Sequence, residues 1–174
     1  MLFVTRRALE RRNKMEWHEV VEHPSLRDLP FKIETNAEGY IMMVAAKNIH
    51  REYQKRIIAW FVRLGESDGA ISECNIQTSD GVRIADVAWR SYEFLKKNGY
   101  NDPYQESPEV VIEVISPSNT QKAMKGRMLL FFEKGAKEIW FCDIDGNMRF
   151  FSPQGELERS EMFGEFPGHI DIQV

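Results

Sequence analysis

The chain has 174 residues, of which 43% are hydrophobic and 29% are charged, and its formal net charge is −4 at pH 7. This length suits one soluble globular domain with a substantial core and is short for two. No apolar stretch approaches the roughly 18 to 20 residues of a membrane span, and no signal peptide is evident. The mild acidity gives no overall sign of nucleic-acid binding, which a local basic face would still permit.

The first fourteen residues are strongly basic and differ from the rest of the chain. Their cationic residues are Arg6, Arg7, Arg11, Arg12 and Lys14. One interpretation is a helical arm that contacts phosphates. The other, which we favour, is a solvated extension. We therefore divide the chain into a basic N-terminal extension over residues 1–14 and one domain over residues 15–174.

The first half of the domain is predicted to contain two hairpins separated by a long helix. The strand pairs are joined by the turn-forming loops Asn36-Ala37-Glu38-Gly39 and Ser79-Asp80-Gly81. Asn48 is expected to cap the helix, because apolar residues with helical spacing follow it. The predicted ranges are 31–35 and 40–45 for the first hairpin, about 49–64 for the helix, and 70–78 and 82–89 for the second hairpin.

The second half is predicted to alternate helices with strands. A buried strand leads through Ser118 or Asn119, as N-cap, into a helix that stops at Gly135. The predicted ranges are 92–97 for a short helix, 110–115 for the strand, 121–134 for the helix, and 137–143, 148–152 and 156–160 for three further strands. This order predicts an α/β domain with a mixed central sheet flanked by helices.

The two cysteines, Cys74 and Cys142, lack the CxxC or Cys/His spacing of a zinc site. We therefore expect reduced core thiols in a cytoplasmic protein. Zinc is not expected.

Glu113 is the most informative residue, because it interrupts the apolar run from Val110 to Ile115. Burying an ionised carboxylate without a partner costs on the order of several kcal/mol. Asp86 occupies a similar run, from Val82 to Trp89. One such acid has ordinary explanations: it caps a turn, pairs with an arginine or faces water. Two of them favour a hard-metal site, because Mg²⁺ prefers oxygen ligands and needs only one or two carboxylates besides water and a substrate phosphate.

A cation near such a site would orient the attacking water or stabilise the developing anion. Ile115, two positions after Glu113 in the strand, has no charge for this purpose. The candidates lie on the following helix and are Lys122, Lys125 and Arg127.

Three segments make the chain resemble the Uma-type restriction endonucleases, which belong to the PD-(D/E)XK nuclease superfamily. The likeness runs from about Phe31 to Gly168 and includes the helix that ends at Gly135. The segments are Asp86-Val87-Ala88, the more specific Glu113-Val114-Ile115-Ser116-Pro117-Ser118, and Glu138-Ile139-Trp140.

The resemblance implies a single restriction-endonuclease-like domain that cleaves DNA phosphodiester bonds with Mg²⁺ or Mn²⁺. Asp86 and Glu113 would be the metal ligands, with assistance from the carbonyl of Val114. It also implies a catalytic lysine on the helix after the strand, in agreement with Ile115 at the strand position. DNA is then the expected partner, and a homodimer is one possibility if both strands are cut.

The chain departs from the family pattern at that lysine, because counting back from Gly135 without gaps places Arg127 there. A guanidinium keeps the positive charge but is always protonated and therefore serves poorly as a base. Lys125 is two residues away, which turns its side chain by about 200° around the helix. Lys122 is also a candidate, and the choice among the three cations stays open.

His50, at the start of the long helix, matches a position where the family usually has histidine. Alone, a histidine at a helix start is more often a capping or surface group than a catalyst, whereas the resemblance places it where it would meet phosphate or water. Glu34 matches an acid of the first strand and is either a third ligand or an exposed acid beside Lys32.

Two functions of different classes follow. The first is a metal-dependent endodeoxyribonuclease. The second is a catalytically impaired module that binds nucleic acid or a protein partner without cleaving it, which the departure at Arg127 favours. A weaker third is a metal-dependent hydrolase of another phosphate ester.

Overall fold

The structure is a computed structural model that describes residues 15–27, 29, 31–45 and 47–172. The basic extension predicted over residues 1–14 lies outside the described residues. Within them there are four helices and eight strands. The helices are α1 (Trp17–Glu22), α2 (Asn48–Arg63), α3 (Tyr92–Asn98) and α4 (Gln121–Glu133). The strands are β1 (Phe31–Thr35), β2 (Ile41–Ala45), β3 (Ala70–Thr78), β4 (Gly81–Trp89), β5 (Val110–Val114), β6 (Glu138–Cys142), β7 (Met148–Ser152) and β8 (Gly155–Leu157).

Six strands form one mixed sheet in the order β3-β4-β5-β6-β7-β8, and β1 and β2 form a separate antiparallel pair. Every neighbouring pair of the large sheet is antiparallel except β5 and β6, which are parallel. Parallel neighbours need a crossover connection, and α4 supplies it. The mixed sheet flanked by helices that the sequence predicts is thus confirmed.

Both predicted helix caps are wrong by one or two residues. Asn48 is the first residue of α2, and Lys47 is its N-cap without a side-chain bond. Thr120 caps α4, because its hydroxyl accepts the Ala123 N–H at 3.1 Å. Asn119 instead closes the preceding turn by accepting the Ser116 N–H at 2.7 Å. Helix α1 was not predicted, and the last strand is shorter than expected.

The core lies on both faces of the large sheet. Consecutive residues of a strand point to opposite faces, so Ile112 of β5 joins the cluster under α2, whereas Val111 joins the cluster under α4. Phe61 of α2 and Phe131 of α4 are fully buried in these two clusters. Glu113, two residues after Val111, therefore faces the side of the sheet that α4 covers. No described helix combines the length and the apolar character that crossing a membrane requires.

The β1–β2 hairpin docks on β4 through polar groups. The Thr35 hydroxyl accepts the Val82 N–H at 2.9 Å, and Oε1 of Glu34 accepts the Ile84 N–H at 2.9 Å. The backbone of Gly81 approaches Thr35 so closely that a Cβ there would collide with the Thr35 carbonyl oxygen. Gly81 also has a positive φ of 81°, which favours glycine. This close fit brings the side chains of β1 over the acidic positions of β4 and β5.

Candidate active site

Asp86 and Glu113 lie side by side on neighbouring strands. Val87 of β4 is paired with Ile112 of β5. Because the two strands are antiparallel, Asp86, which precedes Val87, lies next to Glu113, which follows Ile112. Each of the two side chains belongs to a residue that is only 6% exposed. The pair of buried carboxylates expected from the two apolar runs is therefore present at one place.

Asp86 is held by three donors. Its Oδ2 accepts the Val114 N–H at 2.7 Å, and its Oδ1 accepts the Gln54 amide at 2.8 Å. Oδ1 also forms a close ion pair with the ammonium of Lys32. Hydrogen bonds from both sides of the carboxylate fix its orientation, so this acid is preorganised.

Glu113 has a less complete environment. Its Oε1 lies 2.9 Å from Nε of Arg127, but the two atoms are not aligned as a hydrogen bond, and within the described residues neither has a hydrogen-bond partner. Burial raises the pKa of Glu113 to about 7, against the lowering effect of Arg127 and together with repulsion from Asp86. A buried carboxylate oxygen without a donor is the kind of atom that a metal ion satisfies.

Arg127 binds the remaining acid of the group. Its two terminal nitrogens donate to the two carboxylate oxygens of Glu34, at 3.1 and 2.7 Å, and one of them also donates to the Ile84 carbonyl at 2.8 Å. Burial opposes the charge of Arg127, but Glu113 and Glu34 together raise its pKa. Glu34 is 4% exposed, and Arg127 and the Ile84 N–H hold its pKa low against the effect of burial. Of the two alternatives given for Glu34, the exposed acid is therefore wrong.

Lys32 and Gln54 belong to the site although the sequence reasoning gave neither a role there. Burial lowers the pKa of Lys32, but Asp86, Glu113 and Glu73 hold it above its ordinary value. A weak signal for both residues is present in the sequence. Lys32 is two residues from Glu34 on the same face of a strand, and Gln54 is four residues from His50 on the same face of a helix.

His50 lies on the first turn of α2 and lines the same cleft as the acids. Its buried Nε2 has no hydrogen-bond partner among the residues that the structure describes. Burial lowers the pKa of His50, and Lys47 and Lys32 add to this effect against the attraction of Asp86. The ring is therefore mostly neutral at pH 7 and able to accept a proton.

Lys122 and Lys125 do not join the group. Both are exposed on α4, and neither is among the described residues that line the cleft. Arg127, of the three cations that the sequence left open, is the one that reaches the acids. Ile115 lines the cleft, as expected for the strand position without a charge.

The cleft has a volume of about 680 Å³. Its charged lining residues include Lys32, Glu34, Lys47, Asp86, Glu113 and Arg127. In the described part of the chain, no three His, Cys, Asp or Glu side chains are arranged to bind a metal ion together. Asp86 and Glu113 nevertheless fit Mg²⁺, which is commonly held by two carboxylates with water and substrate oxygens as its other ligands.

The comparisons with known proteins agree with this fold. A sequence model of the family described as "Uma2: Putative restriction endonuclease" matches residues 3–167. Among solved structures, the chain is similar to the crystal structure of a putative nuclease belonging to DUF820 from Anabaena variabilis, with a TM-score of 0.60 and 17% sequence identity. That match covers 87% of this chain and 93% of the other. No curated protein matches the sequence.

Proposed function

The chain belongs to the Uma2 family, described as putative restriction endonucleases, and from this premise we propose that it hydrolyses phosphodiester bonds of DNA with bound Mg²⁺ or Mn²⁺. The family membership confirms the resemblance seen in the three sequence motifs. The observation that carries the proposal is the pair of buried acids, Asp86 and Glu113, of which Glu113 presents an oxygen without a hydrogen-bond donor. DNA as partner, a cytoplasmic location and a homodimer remain predictions.

Asp86 and Glu113 would hold the metal, with the Val114 carbonyl as a further oxygen ligand. When bound, the metal would polarise the phosphodiester and lower the pKa of its bound water. Gln54 and the Val114 N–H keep the Asp86 carboxylate in one orientation. The neutral ring of His50 would accept a proton from the attacking water or contact the phosphate, because its Nε2 is unpartnered within the described structure.

Arg127 would act as a positioning residue. Its guanidinium is already bound to Glu34 and lies against Glu113, so it holds these acids in register between α4, β1 and β5. A fixed positive charge there also favours the ionised form of Glu113, which metal binding requires. Lys122 and Lys125, which are exposed, would contact DNA phosphates outside the catalytic group.

A second function is favoured by the pairing of charges. Lys32 neutralises Asp86, and Arg127 neutralises Glu34 and Glu113, so the acids have partners without a metal. In a module that binds nucleic acid or a protein without cleaving it, these ion pairs would be sufficient to neutralise the buried acids. The departure from lysine to Arg127 supports the same alternative.

Cleavage of supercoiled plasmid and single-stranded DNA, with Mg²⁺, with Mn²⁺ and with EDTA, distinguishes the two functions. The nuclease proposal expects metal-dependent cleavage that falls about a hundred-fold or more in Asp86→Ala and in Glu113→Ala, since several kcal/mol of transition-state stabilisation are lost. Asp68→Ala is the matched control, because Asp68 is exposed and does not line the cleft. Folded intact protein that leaves both substrates uncut in all metals would favour the non-cleaving module.

A further inference from the structure

Lys32 is an unusual lysine because its ammonium is enclosed by oxygen atoms. The side chain is only 9% exposed, although it comes from the small β1–β2 hairpin. Around Nζ are the close Oδ1 of Asp86, the Ile84 carbonyl oxygen at 3.4 Å and Oε1 of Glu73 at 3.9 Å. Two carboxylates and a carbonyl are the ligand types that hard divalent cations prefer.

Glu73 is brought to this place by a distorted backbone. It lies on β3 between Ser72 and Cys74, which pair with Val87 and Ala85 of β4, whereas Glu73 forms no ladder pair with Asp86. Its φ is 53°, the only positive value at a described residue other than glycine. Such backbone strain typically persists where a side chain must be aimed at a functional group.

The oxygens around the ammonium are tied together on their other side by Gln54. Its amide nitrogen lies 2.8 Å from Oδ1 of Asp86 and 3.2 Å from Oε1 of Glu73. Asp86 therefore presents Oδ1 to Lys32 and Gln54, and Oδ2 to the Val114 N–H. Lys32 thus fills one position for positive charge beside Asp86, and the Glu113 oxygen without a hydrogen-bond donor marks a separate one.

We propose that the Lys32 ammonium takes the place of a second divalent cation, so that the site needs a single metal ion, held by Asp86 and Glu113. The location of that single metal ion, between Asp86 and Glu113, rests on the proposed function. Lys32 acts here through Asp86 as a positioning residue. In its absence, the oxygens of Asp86, Glu73 and Ile84 form a second cation site.

The test is the number of Mn²⁺ ions bound per chain, measured from the paramagnetic resonance signal of free Mn²⁺ without any nucleic acid. The expected number is one for the unaltered protein and two for Lys32→Met. Lys47→Met is the matched control, because it removes the same charge from the same cleft, at an exposed residue, and is expected to leave the number at one. Adding Glu73→Gln to Lys32→Met is expected to return the number to one.

A Lys32→Met protein that binds no more Mn²⁺ than the unaltered protein overturns the inference. An extra ion in both Lys32→Met and Lys47→Met also overturns it, because net charge then explains the gain. No ion in the unaltered protein but one in Lys32→Met would contradict the proposed metal site and support the role of Lys32.

If the Lys32→Met protein does not fold in EDTA, its folding on addition of Mn²⁺ is measured instead. Recovery of the far-ultraviolet circular dichroism of the unaltered protein on adding Mn²⁺ supports the inference, because the metal then replaces the ammonium. A variant that stays unfolded at saturating Mn²⁺ overturns it.

Discussion

At the residue scale, Glu113 links the ionisation of the site to the stability of the fold. Its folded-state pKa, about 7, is above the ordinary value of 4.5, so the folded chain keeps a proton that the unfolded chain has lost between these values. The stabilisation from this proton is present below about pH 4.5 and is lost as the pH rises towards 7. As the proposed metal ligand, Glu113 would release this proton when the metal binds.

We therefore predict that Glu113→Gln becomes more stable relative to the unaltered protein as the pH rises from about 4.5 to 7. The amide does not titrate and resembles the protonated carboxyl in shape. The difference in free energy of unfolding between the two proteins should change by on the order of 1–3 kcal/mol over this pH interval. Urea unfolding in EDTA at a series of pH values measures it.

Glu156→Gln is the control for this titration, because Glu156 is exposed, pairs with Arg149 and has a lowered pKa. The free energy of unfolding of Glu156→Gln, relative to the unaltered protein, should not rise between pH 4.5 and 7. A flat difference for Glu113→Gln over the same interval would contradict the raised pKa of Glu113.

The sequence indicated some residues of the site and not others, for a physical reason. Asp86 and Glu113 were detectable because an acid within an apolar strand is costly, and that cost is visible locally. The place of Lys32 two residues from Glu34 is a weak signal, because its main partner is Asp86, which is 54 positions away in the chain. The direction of Glu73 depends on a backbone distortion that no local pattern of polar and apolar residues encodes.

At the element scale, two glycines differ in backbone conformation and in the space available for a side chain. Gly81 has a positive φ and contacts the backbone of the β1–β2 hairpin. A Cβ on Gly126, inside α4, would meet no atom within 4 Å beyond its chain neighbours and the backbone of its own helix. We predict that Gly126→Ala stabilises the protein by about 1 kcal/mol, because alanine loses less backbone entropy in a helix. Thermal unfolding should show a rise of about 2–4 °C.

The same substitution at Gly81 should have the opposite effect. Gly81→Ala forces a side chain into a left-handed conformation and against the Thr35 carbonyl, with an expected cost of about 2–4 kcal/mol. Chemical denaturation of both variants compares the two positions. Equal effects of the two substitutions would show that the hairpin does not dock tightly on the β3–β4 turn.

The strands were predictable because apolar runs and turn residues define them, and β1, β3 and β7 have the predicted bounds. Helix starts were less predictable, because Ser118, Asn119 and Thr120 all have side chains able to cap a helix. The choice of Thr120 follows from Asn119 being engaged by Ser116. Helix α1 is only six residues long, too short for a periodic pattern to be recognised.

At the scale of the whole molecule, the irregular segment after β8 completes the core. Phe166 is 3% exposed, and its ring lies 4.6 Å from that of Trp140 and 5.2 Å from that of Phe61, between centroids. We predict that Phe166→Ala destabilises the protein by about 3–5 kcal/mol, because it leaves a cavity between α2 and the sheet. Urea unfolding followed by tryptophan fluorescence measures the loss.

Glu165→Ala provides the comparison, because Glu165 is the exposed neighbour of Phe166. Its effect should stay within about 0.5 kcal/mol. A small effect of Phe166→Ala would mean that the segment is not an integral part of the core.

The overall topology needed more than local patterns. The order of elements predicted a mixed sheet, and the crossover through α4 follows from the parallel pair β5–β6. The separation of β1 and β2 from the large sheet had no signal in the sequence, because an isolated hairpin and a sheet edge have the same alternation of residues.

The docking of this hairpin through side chains has a consequence for hydrogen exchange. The amide hydrogens of Val82 and Ile84 are bonded to Thr35 and Glu34, so their exchange with deuterium reports the lifting of the hairpin without the opening of the sheet. Lys32 and Glu34 would leave with the hairpin, whereas Asp86 and Glu113 would stay. The exchange rates of these two amides therefore measure how often the hairpin lifts and removes the Lys32 ammonium from the cleft.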